Sequence, residues 1–198
     1  MRRPVAVAIT GGIGAGKSAA LVAFQRHGAA TVSSDEIVHH LLRADPDVRE
    51  ALVRRFGDDV LDHDGIPDRA SIAAIVFDNP EALAFLEALL HPLVSREYLQ
   101  WREQLGGLDD PPQVCVTEVP LLFESGAESR FDRIVVITAP RLLREQRRHA
   151  PLDNREARLV DDREKIAKAD FHYVNTGTVE GLDAWAAGVM AELTNDSS

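Results

Sequence analysis

A chain of 198 residues with 32 acidic against 22 basic side chains, a net charge of −10 and a pI near 5.1 has room for one substantial core with small appended parts. That balance excludes a nucleic-acid binder relying on a broad basic surface, and the single cysteine excludes an internal disulfide. No apolar run reaches membrane length and no signal-like segment precedes the first strand, so the expectation is a cytoplasmic protein with neither nucleic acid nor membrane as partner.

Val5-Ala6-Val7-Ala8-Ile9-Thr10 is apolar without a helical period, as a strand buried on both faces of a parallel sheet is. Gly11-Gly12-Ile13-Gly14-Ala15-Gly16-Lys17-Ser18 then fits G-x-x-x-x-G-K-[S/T], and a helix through Phe24 follows, with Gly28 as its C′ residue. Strand, glycine-rich loop and helix in this order mark a P-loop. Gly12, Ile13, Gly14, Ala15, Gly16, Lys17, Ser18 and Ala19 are the residues expected to surround the phosphates of a bound nucleotide. The backbone N–H groups and the helix N-terminus cradle them, Lys17 brings charge to the β/γ-phosphates, and the Ser18 hydroxyl can hold Mg²⁺. The alternative, a glycine-rich turn with an incidental lysine, leaves the full pattern unexplained.

Ala30-Thr31-Val32 reads as a second strand, and Ser33-Ser34-Asp35-Glu36 opens a helix through Ile37, Val38, Leu41 and Leu42. Asp35 has two readings. A carboxylate at this place can face the γ-phosphate and take a proton from an acceptor hydroxyl. Equally, Ser33 with Glu36 spells a capping box, and an acid in a first turn is favourable for its charge alone.

Residues 45–104 are helical with one irregular interruption, more than a crossover needs, and read as an insertion. Pro46 to Phe56 is helical, Asp58 to Asp68 is a loop, and Arg69 to Phe77 is a short helix. Asn79 caps a helix starting at Pro80, whose apolar face of Leu83, Leu86, Leu89 and Leu90 ends at His91-Pro92. His91 reads as a ligand contact or as a local hydrogen-bonding residue. Tyr98 and Trp101 continue the amphipathic pattern as packing residues.

Val114 to Val119 is a strand in which Cys115 reads as a buried thiol. Glu118, near its end, either orients metal-bound water beside the P-loop or is an ordinary strand-end charge. Arg133 to Thr138 is a fourth strand and Asp170 to Val174 a fifth, before a last helix from Val179 to Leu193. Between them, residues 141–168 hold nine Lys/Arg against six Asp/Glu, net +3 inside an acidic chain. Arg144 with Arg147 or Arg148, and Arg155 with Arg158, share helix faces. Such a segment is a lid closing over triphosphate or a solvated pair of charged helices. The pattern as a whole predicts an α/β, three-layer P-loop fold with a five-stranded parallel sheet. It comprises one kinase domain of core 1–44, 105–140 and 169–198, helical acceptor-binding insertion 45–104 and lid 141–168.

With these pieces in place the chain resembles the dephospho-coenzyme A kinase family from near residue 4 to near residue 193. Thr10 to Ser18 is similar to that family's T-G-G-I-G-[S/A]-G-K-S, and Asp35 falls at the second acid of its D-x-D turn. Phe77-Asp-Asn-Pro-Glu81, Leu89-Leu-His-Pro-Leu93 and Val119-Pro-Leu-Leu-Phe-Glu124 resemble further family stretches, as do Glu164-Lys165, Ala169-Asp170 and Asn175-Thr176-Gly177. The resemblance implies transfer of phosphate from ATP to dephospho-CoA, with Mg²⁺ held by Ser18 and Glu118. It implies Asp35, Lys17, Arg144, Arg147 and Arg158 as catalytic residues. Asn175 and Gly177 would lie beside adenine, and Asp35, His91, Pro120 and Leu121 would meet the acceptor, in a monomer or small homo-oligomer. Ser33, Ala19 and Asp162 depart from the family pattern, at the first acid of D-x-D, after the P-loop and at a lid glutamine. Rival readings are another small-molecule or nucleoside kinase, a GTPase-type switch, against which the absence of an N-K-x-D segment counts, and a non-catalytic nucleotide-binding regulator.

Overall fold

A computed structural model describes residues 3–148 and 159–195. The elements run β1 (Val5–Gly11), α1 (Lys17–Arg26), β2 (Ala30–Ser33), α2 (Ser34–Ala44), α3 (Pro46–Phe56), α4 (Arg69–Phe77), α5 (Pro80–Gly106), β3 (Val114–Glu118), β4 (Arg133–Thr138), α6 (Arg141–Arg148), α7 (Asp162–Ala167), β5 (Phe171–Val174) and α8 (Val179–Asn195). The chain divides into two compact units, one formed by residues up to 33 and from 102 onward, the other by Ser34–Trp101.

The first unit is built on a five-stranded sheet in the order β2-β3-β1-β4-β5, every neighbouring pair parallel. β1 lies at its centre, with Val5 to Ile9 opposite Val114 to Glu118 on one side and Val7 to Gly11 opposite Arg133 to Ile137 on the other. Such a strand is covered on both faces, which is why its sequence is continuously apolar. Alternate residues nevertheless divide between two cores. Val7 and Ile9 join Val116, Val135 and Ile137 against Phe24 of α1 and Leu182, Ala186 and Met190 of α8. Ala8 and Val136 face the other way, onto Leu122, Phe123, Val160 and Ile166. Phe24 meets Trp185 edge-on at 6.1 Å between ring centroids, an arrangement favoured by the ring quadrupoles.

The second unit has its own core of Leu42, Val48, Leu52, Val60, Ile72 and Leu90. Its helices start where side chains can accept their free N–H groups. Asp45 accepts from Asp47 N and Val48 N ahead of Pro46, Asp68 accepts from Ser71 N at 2.8 Å, and Asn79 accepts from Ala82 N at 3.0 Å. The Ser71 hydroxyl and N–H hold the Asp68 carboxyl below its usual range. Phe56 and Phe85 pack edge to face at 5.5 Å.

One expectation fails here. The apolar segment that opens at Pro80 does not end at His91-Pro92 but continues as a single helix of 27 residues with Pro92 inside it. Proline removes its own donor to the carbonyl four residues back and crowds that carbonyl, a cost confined to one turn. Buried Leu90 before it and buried Tyr98 after it hold the helix on both sides.

Candidate active site

Where β1 ends the chain must turn sharply into α1, and two glycines make the turn possible. Gly11 has φ 146°, and a Cβ there would stand 1.9 Å from the Ile137 carbonyl oxygen of β4, so no side chain fits. Gly16, the N-cap residue of α1, has φ 98° in the left-handed region, and its Cβ would meet Asn175 Nδ2 at 2.2 Å. Between them the loop closes on itself. The Gly12 carbonyl accepts from the Ala15 N–H at 3.2 Å and from Lys17 Nζ at 3.1 Å. Ala15 is buried in the main core and Ile13 half-buried, whereas Ser18 and Ala19 are exposed on the first turn of α1. That turn has no side-chain cap and no acid, so its positive end is left to an external anion.

Two arginines of α6 reach this loop. Arg144, only 9 % exposed, places Nη1 2.6 Å from where a Cβ on Gly12 would stand. Arg147 donates from Nη1 to the carbonyls of Gly14 and Ala15, each at 3.2 Å, and from Nη2 to Asn175 Oδ1 at 3.1 Å. Asn175 completes the brace. It is 5 % exposed, donates from Nδ2 to the Ala15 carbonyl at 2.9 Å, and its N–H donates to the Thr138 carbonyl at 2.7 Å. Gly177, two residues on, has φ 120° and comes within 4.0 Å of Arg147 Nη2 at its Cβ position. The structure therefore gathers Gly12 to Ser18, Arg144, Arg147, Asn175 and Gly177 around one loop. The sequence offered no means of seeing that the Asn175 amide engages the loop itself.

The neighbouring edge of the sheet carries the acid. Glu118, 7 % exposed, ends β3 opposite Ile9 of β1 and Ser33 of β2. The next turn brings the Pro120 carbonyl to Thr10 Oγ1 at 3.4 Å, and Leu121 follows it half-buried. Ligands of open α/β sheets bind at such carboxyl ends, where connections leave the central strand in both directions. Asp35 and His91 belong to the second unit, Asp35 exposed in the first turn of α2 and His91 exposed on α5. Arg158 and Arg155 lie outside the described residues. The reading of Cys115 as a core thiol holds, since it is 1 % exposed and burial pushes its pKa up to about 11. Lys165, matched to the family in the Glu164-Lys165 stretch but given no inward role, is wholly buried. Its Nζ stands 3.2 Å from Glu124 Oε1.

A glycine-rich loop opening an uncapped helix N-terminus, with three cations and a carboxylate at the adjacent strand end, is equipped to bind a polyphosphate and neutralise charge on it. Comparison with known proteins agrees. The family model for dephospho-CoA kinase matches residues 5–180. The dephospho-CoA kinase of Methylococcus capsulatus is similar at 37 % identity over 90 % of this chain and 91 % of its own length. That of Frankia casuarinae is 34 % identical over 94 % of this chain and 82 % of its own. Among solved structures, the dephospho-CoA kinase of Campylobacter jejuni superposes with a TM-score of 0.69 at 27 % identity, covering 98 % of this chain and 99 % of the other. Among the described residues no helix is long and apolar enough to cross a membrane.

Proposed function

The chain belongs to the dephospho-CoA kinase family, and from that membership we infer its reaction: transfer of the γ-phosphoryl group of ATP to the ribose 3′-hydroxyl of dephospho-CoA, giving coenzyme A and ADP. The observation that carries the phosphoryl-transfer part is the braced P-loop, whose Gly12 carbonyl, Lys17, Arg144 and Arg147 crowd one small volume.

In this reading Lys17 leaves the Gly12 carbonyl for the β/γ-phosphates when ATP binds. Arg144 and Lys17 then neutralise charge on the transferring group, which is where most of the catalytic stabilisation in phosphoryl transfer lies. Arg147 adds its charge while its hydrogen bonds hold the loop in shape. Asp35 accepts the proton of the 3′-hydroxyl as that oxygen bonds to the γ-phosphorus and the bond to the β-phosphate oxygen breaks. Its support is its place in the first turn after β2, the strand that pairs with Glu118. His91, Pro120 and Leu121 are assigned to the acceptor, and Asn175 with Gly177 to the adenine side of the loop.

Exposed Ser18 and buried Glu118 offer hydroxyl and carboxylate oxygens, a hard-donor set that suits Mg²⁺. When bound there, the ion would supply charge neutralisation for the transferring phosphoryl group.

The test is ADP release with dephospho-CoA against a panel of nucleosides and other alcohols. Dephospho-CoA is expected to support turnover far above every other acceptor. Equal or faster release with another alcohol overturns the acceptor assignment, and undiminished release by Lys17→Ala overturns the role of the loop.

A further inference from the structure

The Ala15 carbonyl sits in the loop just ahead of α1, where one donor would satisfy it. It has two, from different parts of the chain. Asn175 Nδ2 donates to it at 2.9 Å and Arg147 Nη1 at 3.2 Å, and the same Nη1 reaches the Gly14 carbonyl at 3.2 Å. These donors are themselves joined, since Arg147 Nη2 donates to Asn175 Oδ1 at 3.1 Å. Amide, guanidinium and carbonyl thus close a ring, and both ends of the Asn175 amide are engaged by the chain itself.

The ring is anchored on the sheet. Asn175 is 5 % exposed, and its N–H donates at 2.7 Å to the carbonyl of Thr138, the last residue of β4. Gly16 leaves room for the amide, because a Cβ there would stand 2.2 Å from Nδ2. A trans peptide is planar, with its C=O and N–H pointing opposite ways. Holding the Ala15 carbonyl therefore aims the Gly16 N–H, and holding the Gly14 carbonyl aims the Ala15 N–H, which donates across the loop to Gly12. Gly16 is the N-cap residue of α1, at the end where free N–H groups are offered to an anion.

We propose that Asn175 and Arg147 are a positioning clamp for the phosphate end of the nucleotide: they set the Ala15–Gly16 peptide, so affinity for the phosphates depends on Asn175 whatever base is attached. Arg147 serves the clamp through the fork of its guanidinium as well as through its charge. This rests on the reading of the loop as the ATP site.

The experiment is calorimetric titration of wild type, Asn175→Ala and Arg147→Lys with ATP and with inorganic tripolyphosphate, which carries no base. For Asn175→Ala both are expected to bind more weakly by the same factor, about 5-fold or more, the scale of one oriented hydrogen bond. Its Tm should stay within a few degrees of wild type, because Arg147 still serves the Ala15 carbonyl. A loss confined to ATP would make Asn175 an adenine contact, and unchanged affinity for both would make it packing; either result overturns the proposal. Arg147→Lys keeps the charge but cannot fork between two carbonyls and an amide. Arg147 is exposed, so this variant is expected to fold even if Asn175→Ala does not. It should bind tripolyphosphate about 3-fold or more weakly, and wild-type affinity there would show that charge alone acts and overturn the clamp. Tripolyphosphate that fails to bind wild type also overturns it, whereas failure of ATP to bind wild type would count against the ATP-site reading instead.

Discussion

Asp35→Asn separates the two roles a first-turn aspartate can have. Asparagine keeps the size of the side chain and its capacity to cap a helix, but it cannot take a proton from the 3′-hydroxyl. We expect kcat to fall on the order of 10²-fold or more, with ATP binding retained and stability moved by no more than about 1 kcal/mol. Steady-state kinetics within a few-fold of wild type would remove Asp35 as the base and make Glu118 the next acid to replace. Gly16→Ala probes the loop in the same way. The new methyl would sit 2.2 Å from Asn175 Nδ2 in a left-handed backbone conformation. The strain is expected to lower stability by about 1–3 kcal/mol and to weaken ATP binding, because the Asn175–Arg147 brace must move. Calorimetric titration with unchanged ATP affinity would show that the brace does not shape the phosphate site.

At the scale of elements, β3 gives a prediction with a defined pH window. The Cys115 thiol is raised to about 11 in the folded chain, chiefly by burial, from an ordinary value of 9.0. The unfolded chain therefore loses this proton first, and its contribution to stability, complete below pH 9, declines as pH rises towards 11. The loss over that window is on the order of 2–3 kcal/mol, and urea unfolding at several pH values should show it in wild type and not in Cys115→Ala. Parallel slopes for the two proteins would refute it. The elements themselves were largely legible in the sequence. Val114–Glu118 and Arg133–Thr138 carry the unbroken apolar runs of buried strands, and Asn79-Pro80 announces a helix start. Pro92 misled because local sequence reports the cost of a proline, whereas the packing of Leu90 and Tyr98 that offsets it comes from elsewhere in the fold.

For the whole molecule, the parallel α/β class followed from strands separated by helices, and the P-loop from its motif. The brace on that loop did not. Asn175 reaches Ala15 across 160 positions of chain, and Lys165 reaches Glu124 across 41, so neither contact has any local trace. Nor does a run of nine basic residues reveal which of its members turn inward; Arg144 and Lys165 do so because the loop and the acid they face are placed by the sheet. The central claim is that this scaffold phosphorylates the ribose 3′-hydroxyl of dephospho-CoA, and identifying the product tests it most directly. Purified enzyme with ATP and dephospho-CoA should yield a species one phosphoryl group heavier, with a single new phosphomonoester whose ³¹P resonance couples to the ribose H3′. A phosphoryl group found at any other position, or ADP formed with no change in dephospho-CoA, would contradict it.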